Sequence, residues 1–296
     1  SIQMSNNKML VDERQSDIGN FLVGRLFPFR KKRQVGPFTF IDHMGPAEIK
    51  VGQPMDVNQH PHIGLSTLTY LFEGAVHHRD SIGSDVVVRP GDVAFMTAGK
   101  GVTHTERTPE ELRNVPHTMH GYQIWVALPQ SHEEMEPQFD FYAADSIPQW
   151  EENNMTLKLV AGEGFGRKAP LQGFSHLFMV DILAHEDAEL DIKSQLKGEI
   201  AFVVVKGEVS DDGDTLGAGQ MLISKTEDEC KVVLKKGTQL LLFGGKSLWQ
   251  EHFLLWNFVS SSKERLQKAK NDWEEKRFPK VPGDDTYIPF PKPRMK

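Results

Sequence analysis

Short apolar segments alternate with turn residues through the first half of the chain, and no long helical periodicity occurs there. Runs of a few β-branched and aromatic residues are typical of strands. The turns between them contain glycine and proline, as in Pro90-Gly91-Asp92. This pattern predicts an antiparallel sandwich or a small barrel, which leaves few exposed strand edges. The expected strands are Ser66 to Phe72, Asp85 to Arg89, Val93 to Met96 and Tyr122 to Leu128.

The same pattern restarts in the second half, after an acidic, proline-containing stretch from Pro129 to Pro148 that predicts a linker or a short docking helix. Both halves carry a glycine followed by Asp or Gln before a strand, Gly91-Asp92 and Gly219-Gln220, which suggests a structural repeat. The expected second-half strands are Leu157 to Ala161, Leu177 to Leu183, Ile200 to Lys206, Gln220 to Ser224, Lys231 to Leu234 and Gln239 to Phe243.

The pattern changes after Ser260, where helical spacing predicts a helix from Ser262 to Lys276 with Ser262 as its N-cap. A proline-rich tail from Phe278 is expected to run extended. The sequence therefore predicts an all-β fold of two tandem antiparallel barrels with a C-terminal helix and tail. We expect the first domain to span residues 4–135 and the second residues 136–296.

Composition narrows the function classes. The 296 residues carry 34 basic and 41 acidic side chains, a net charge of −7, which gives no support for direct nucleic-acid binding. The basic run Arg30-Lys31-Lys32-Arg33 is therefore interpreted as a solvated turn. A single cysteine, Cys230, cannot form an internal disulfide or a zinc site of several thiolates. We predict a cytoplasmic protein without membrane contact, since the longest apolar runs are too short to span a bilayer.

Two pairs of potential metal ligands stand out in the first half, His60-Pro61-His62 and His104-Thr105-Glu106. On a strand, residues i and i+2 point to the same face, so each pair can turn into one barrel interior. Three imidazoles and one carboxylate suit iron, manganese, copper, nickel or cobalt and leave coordination positions open. The alternative is that chance pairing among 12 histidines placed these residues on the surface or in turns.

The chain resembles the pirin family, within the cupin superfamily. The resemblance covers most of the first half, and in the second half it is one of layout, with no second His-x-His or His-x-Glu. The motifs that carry it are Asp42-His43-Met44-Gly45-Pro46, His60-Pro61-His62, His78-Arg79-Asp80-Ser81, Met96-Thr97-Ala98-Gly99-Lys100-Gly101-Val102-Thr103-His104-Thr105-Glu106 and Gly121-Tyr122-Gln123-Ile124-Trp125-Val126.

The resemblance implies a bicupin fold in which only the N-terminal barrel holds metal. The general cupin pattern places a glutamate four or five residues after the second histidine, where this chain has Ser66 and Thr67. Pirins take that carboxylate from the second motif, at the position of Glu106. The implied cofactor is one divalent metal, Fe(II) first, with Mn, Ni, Cu, Co and Zn as alternatives. The implied metal ligands are His60, His62, His104 and Glu106.

Some members of the family resemble flavonol dioxygenases in activity, opening quercetin with dioxygen and releasing carbon monoxide. Glu106 is the candidate catalytic base for the flavonol hydroxyl, with a fixed metal ligand as its competing role. Metal affinity is expected to fall below about pH 6.5, the unperturbed histidine pKa. The alternative function is an iron-based redox sensor that acts through a protein partner.

Four further side chains have interpretations that the structure can test. His43 is either a core histidine or a residue that orients a ligand. His117 and His120 are expected on the surface, in a loop before the Tyr122 strand. Trp125 lies at a position typical of core packing, with the pocket wall as the alternative.

Overall fold

A computed structural model describes residues 2–5, 8–12, 14–17, 22–27, 34–211, 213–224 and 231–293 of the chain. Side-chain surroundings are described from residue 34 onward. Cys230 and the basic run at residues 30–33 lie outside the described residues, so their interpretations stay predictions. Among the described helices, none combines the length and apolarity that crossing a membrane requires.

Strands make up most of the described chain. The first-half strands are β1 (Ile2–Ser5), β2 (Lys8–Asp12), β3 (Arg14–Asp17), β4 (Leu22–Phe27), β5 (Phe38–Ile49), β6 (Val57–His62), β7 (Leu65–Glu73), β8 (Val76–Asp80), β9 (Asp85–Val88), β10 (Val93–Thr97), β11 (Val102–Arg107), β12 (His117–Ala127) and β13 (Gln138–Tyr142). The second-half strands are β14 (Gln149–Glu152), β15 (Met155–Gly164), β16 (Arg167–Lys168), β17 (Leu177–Ala184), β18 (Ala188–Asp191), β19 (Glu199–Lys206), β20 (Glu208–Asp211), β21 (Asp214–Gly217), β22 (Gln220–Ser224), β23 (Lys231–Leu234), β24 (Gln239–Gly245), β25 (Phe253–Leu255) and β26 (Phe258–Ser260). The helices are α1 (Glu110–Arg113), α2 (Lys263–Glu274) and two 3-10 turns, Gln130–His132 and Ala144–Ser146.

Every strand expected from the sequence is present, with bounds shifted by a few residues, but two features differ from expectation. β12 begins at His117, five positions before the expected Tyr122. The expected linker contains strand β13, which pairs with β10. Phe139 of β13 packs against a buried apolar cluster, so burial of an aromatic residue places this acidic stretch in the sheet. The short helical pieces there are the two 3-10 turns.

Contacts group the chain into two compact units, one built from Ser16–Val23, His43–Phe141 and Trp249–Lys296 and the other from Ser1–Gln15, Gly24–Asp42 and Tyr142–Leu248. The C-terminal helix and tail thus lie with the N-terminal barrel. The sequence prediction placed this helix and tail in the second domain, residues 136–296. That boundary between the two family domains stays a prediction.

In the unit that contains the N-terminal barrel, the larger sheet runs β13-β10-β7-β12-β5. A second sheet has the order β6-β11-β8-β9. One apolar cluster takes side chains from both sheets, including Leu71 of β7 and Met119 of β12 on one side and Val76 of β8 and Val88 of β9 on the other. The two sheets therefore pack face to face around a shared interior, as expected of a small barrel.

The other unit has the same plan. Its large sheet is ordered β1-β2-β22-β19-β24-β17-β15-β14, and its small sheet is ordered β18-β23-β20-β21. Its interior is filled by an apolar cluster that draws on both sheets, for example Phe202 of β19 and Leu234 of β23. Aliphatic and aromatic side chains occupy this interior.

Helix α2 begins where the sequence predicts, because the Ser262 side chain accepts a hydrogen bond from the Arg265 backbone N–H at 3.2 Å. Its buried face carries Leu266, Ala269 and Trp273. The tail that follows is extended and packs on this helix through Phe278, Tyr287 and Phe290.

Candidate metal centre

The register between β6 and β11 brings the two histidine motifs together. His104 lies directly opposite His60, and Val102 lies opposite His62. The ladder shifts between His104 and Glu106, where Glu106 pairs with Val57 instead of Asn58. One extra residue of β6 is therefore accommodated in a β-bulge, a device that re-aims side chains beside functional sites.

Three imidazoles meet inside this barrel. One ring nitrogen from each of His60, His62 and His104 lies within 4.8 Å of the others, and all three side chains are buried. Nε2 of His62 is 3.1 Å from Nε2 of His104. The ring centroids of His60 and His104 are 4.2 Å apart. The three histidines that the period-two pattern predicted to converge therefore do so in the structure.

Backbone carbonyls fix the tautomers of two of these rings. Nδ1 of His60 lies 2.7 Å from the Asn58 carbonyl oxygen, and Nδ1 of His62 lies 3.1 Å from the Asn257 carbonyl oxygen. A carbonyl oxygen only accepts, so each Nδ1 carries the proton and each Nε2 presents a lone pair. Carbonyl-supported imidazoles of this kind are typical of metal-binding histidines.

Burial also sets the charge of the rings. Burial lowers the pKa of His60, and it holds the pKa of His62 and of His104 well below the ordinary value, with the neighbouring imidazoles lowering both further. The rings are therefore neutral, which is the form that binds metal. In addition, Nδ1 of His104 is buried without a hydrogen-bond partner among the described residues.

Glu106 lies at the edge of this cluster. Its Oε1 is 3.6 Å from Nε2 of His104 and accepts a hydrogen bond of 2.7 Å from the Gln123 side-chain amide. The grouping of the three histidines within 4.8 Å does not include this carboxylate. Gln123 was not singled out from the sequence, although it lies in the Gly121-Tyr122-Gln123 motif, two positions before Trp125.

A second pair of buried polar residues lines the same sheet. His78 pairs with Glu106 across β8 and β11, and Asp80 pairs with His104. Nε2 of His78 lies 2.7 Å from Oδ2 of Asp80, and the His78 ring tilts against His104 with centroids 5.4 Å apart. Burial opposes ionisation of Asp80, but hydrogen bonds from His78 and Ser84 outweigh it and lower the Asp80 pKa. The His78-Arg79-Asp80 motif was the sequence signal for this pair.

Comparison with known proteins identifies the family. A family model described as Pirin matches residues 20–126, and a model described as Pirin C-terminal cupin domain matches residues 179–279. The chain belongs to the pirin family. A pirin-like protein of Caulobacter vibrioides is 43% identical over 291 residues, which cover 96% of this chain and 99% of that relative. The two barrels described above are therefore the tandem cupin-type barrels of pirins, as predicted.

Solved structures support the same assignment. A quercetin 2,3-dioxygenase from Acinetobacter baumannii has a TM-score of 0.88 and 33% identity, with 98% of this chain and 97% of that chain covered. A bacterial pirin from Escherichia coli, solved in complex with nickel(II), has a TM-score of 0.63, 21% identity and coverage of 81% and 99%. The second match supports the pirin fold alone.

The structure also places His43, His120 and Trp125. His43 contacts two residues of strand β12: its Nε2 lies 2.8 Å from Nε2 of His120, and its ring stacks on Tyr122. The surface position expected for His120 is wrong, because this side chain is buried in strand β12 against His43. Trp125 is buried and contacts His62 edge to face, with ring centroids 5.2 Å apart. Its ring therefore packs beside the centre.

Proposed function

We propose that this protein is a dioxygenase dependent on one divalent transition metal, iron first, and that it opens quercetin-like flavonols with dioxygen and releases carbon monoxide. The observation that carries the proposal is the convergence of three buried, neutral imidazoles on one point beside a carboxylate. The 33% identity and the TM-score of 0.88 to a quercetin 2,3-dioxygenase support the choice of reaction.

The donor set fits a metal. Nε2 of His60 and Nε2 of His62 present lone pairs to the cluster, the second of them 3.1 Å from Nε2 of His104. Nδ1 of His104 is buried without a hydrogen-bond partner among the described residues. His60, His62 and His104 would hold the ion, with Glu106 as the fourth donor. A bound ion supplies Lewis acidity and open positions for a hydroxyl oxygen and dioxygen. Nitrogen-rich sets of this kind also suit Mn, Ni, Cu, Co and Zn.

Glu106 is the proposed base. Its Oε1 is held by the Gln123 amide, while Oε2 makes no hydrogen bond to a described residue. The carboxylate is thus fixed at one oxygen and available at the other to take the proton of the flavonol 3-hydroxyl. Gln123 restrains the swing of the side chain, which favours a positioned base. The side chain is 11% exposed, against 1% for His104, so Glu106 lies on the more open side of the centre.

The surroundings exclude water from the imidazoles. His62 is 1% exposed and packs against the indole of Trp125. Phe139 stacks on His78 with ring centroids 4.4 Å apart. Aromatic faces of this kind match a planar flavonol, and a water-poor interior strengthens each electrostatic contact in it.

The test is to load the purified chain with ferrous iron and to follow quercetin absorbance and carbon monoxide release in air. We expect turnover in the wild type and none in His62→Ala. Parallel loading with Mn, Ni, Cu, Co and Zn ranks the metals. Absence of carbon monoxide from every fully loaded form would contradict the proposed reaction. The cytoplasmic location and a protein partner for a redox-sensing role stay predictions.

A further inference from the structure

The C-terminal tail packs along the strands that carry the proposed ligands. We define the C-terminal strap as residues 278–290, which follow helix α2 and belong to the same compact unit as β6 and β11. Val281 and Ile288 of the strap both hydrogen-bond to Gln59, the residue that precedes His60. Gln59 is 3% exposed, so a glutamine is buried here between a ligand strand and the strap.

Gln59 belongs to the β-bulge. Two residues, Asn58 and Gln59, separate Val57 from His60, whereas a single residue separates their partners Glu106 and His104. In a bulge the extra residue leaves the ladder and its backbone groups need other partners. The strap supplies them: the Gln59 N–H donates to Oγ1 of Thr286 at 3.1 Å, and the Gln59 carbonyl accepts from the Ile288 N–H at 3.0 Å.

The Gln59 side chain is also satisfied by the strap. Its Oε1 accepts the Val281 N–H at 2.6 Å, and its Nε2 donates to the Thr286 carbonyl at 2.9 Å. Both ends of the amide are thus bonded, and a buried amide deprived of these partners would carry a desolvation cost. The bulge geometry and the docked strap therefore depend on each other.

The other proposed ligands have neighbours held in the same way. Thr103, before His104, donates through Oγ1 to the Pro279 carbonyl at 2.7 Å. Arg107, after Glu106, forms an ion pair of 2.9 Å with Asp284. His62 itself is held by a residue outside the strap, because its Nδ1 donates to the carbonyl of Asn257, which precedes helix α2.

The strap has a firm base on helix α2. Trp273 donates from Nε1 to the Ile288 carbonyl at 2.8 Å, and its ring stacks on Tyr287 with centroids 4.7 Å apart. Phe278 stacks on Phe258, which is fully buried. Because the strap is fixed at several points, it can hold Gln59 in one place.

We infer that the C-terminal strap positions the metal centre, and that Gln59 is a positioning residue through which the docked strap sets the bulge that aims His60. The inference rests on the proposed metal site and holds for any metal or reaction at that site. A metal centre in the N-terminal barrel is thus completed by residues 278–290.

The test uses the full-length chain with Thr286→Val, which removes the acceptor for the Gln59 N–H, and Thr286→Ser as its matched control, which keeps the hydroxyl. Thr286 is half-buried, so neither change opens the core. Co(II) affinity is measured by chelator competition, the Co(II) visible spectrum reports ligand geometry, and Tm of the metal-free protein reports stability. We expect about tenfold weaker Co(II) binding and shifted bands in Thr286→Val. Thr286→Ser should match the wild type.

A second variant, Asp284→Asn, breaks the ion pair beside Glu106 and should weaken Co(II) binding in the same direction. A lower Tm with wild-type Co(II) affinity and spectrum in both Thr286→Val and Asp284→Asn would mean that the strap is merely structural, and would overturn the inference. Absence of Co(II) binding by the wild type would overturn the metal site and this inference together. If both variants weaken Co(II) binding as expected but the wild type does not turn over quercetin, only the proposed reaction would be contradicted.

Discussion

Nε2 of His62 lies 3.1 Å from Nε2 of His104, although 42 positions separate the two residues in the chain. The carbonyl of Asn257 fixes the His62 proton on Nδ1, so the His62 Nε2 presents a lone pair to its neighbour. Whichever tautomer His104 adopts, its buried Nδ1 has no partner among the described residues. A buried ring nitrogen without a partner is uncommon in folded proteins, and here it belongs to one of the three histidines that would hold the proposed ion.

Replacement of His62 tests the ligand set. We expect His62→Ala to lose the metal after gel filtration, because the substitution removes one of the three imidazole donors that converge on the proposed ion. Metal content per chain is measured by elemental analysis. The matched control is His252→Ala, which removes another buried imidazole of the same compact unit that bonds the Leu128 carbonyl at 2.8 Å. Full occupancy in His62→Ala would contradict the assignment.

The role of Glu106 can be separated from its ligation. Glu106→Gln keeps the shape of the side chain but removes its basicity, so we expect kcat for quercetin to fall by about 10²–10⁴ while most of the metal is retained. Loss of the metal in this variant would leave Glu106 with the donor role alone and contradict its role as the base. Gln123→Met removes the hydrogen bond to Oε1, and a smaller fall of about tenfold with unchanged metal content is expected.

Gly64 joins β6 to β7 with a positive φ of 70°, and a Cβ there would lie 1.8 Å from the Val259 carbonyl oxygen. We expect Gly64→Ala to lower the free energy of unfolding by roughly 3 kcal/mol or more. Gly52 has a similar φ of 81° but open space around its Cβ position. Gly52→Ala should therefore cost only about 1–2 kcal/mol. Equal costs in chemical denaturation would refute the steric argument.

Acid should release the strap before it unfolds the barrels. Burial opposes ionisation of Asp284, but hydrogen bonds from Thr286 and Arg107 outweigh it and lower the Asp284 pKa. A group with a lowered folded-state pKa contributes its full stabilisation of the docked form above its ordinary pKa near 3.8, and this contribution is lost as pH falls from that value through the lower folded-state pKa.

The measurement for this pH effect is hydrogen exchange of the Val281 and Ile288 amides, which both bond to Gln59. Protection should decrease below about pH 4 in the wild type. In Asp284→Asn it should already be reduced at neutral pH and change little with acid. Asp285→Asn is the control, since Asp285 is 92% exposed and pairs with Lys280 at the surface. A wild-type profile in Asp284→Asn would exclude this ion pair as the cause.

The local alternation of apolar and polar residues was enough to predict the strands and the face on which each candidate ligand lies. The period-two spacing of His60 with His62, and of His104 with Glu106, already placed each pair on one strand face, and the structure brings the three imidazoles together. The strand positions and the Ser262 N-cap could likewise be predicted from the sequence, because both depend on residues a few positions apart.

Contacts between residues far apart in the chain were visible only in the tertiary structure. His120 was expected on the surface by default. Its partner His43 lies 77 positions away, so no local sequence signal indicated their contact. The Asn257 carbonyl supports His62 across 195 positions, and the strap meets Gln59 across more than 220. A sequence pattern encodes which face a side chain takes. The register, the bulge and the docking of the tail follow from the free energy of packing the whole unit, to which each of these distant contacts contributes.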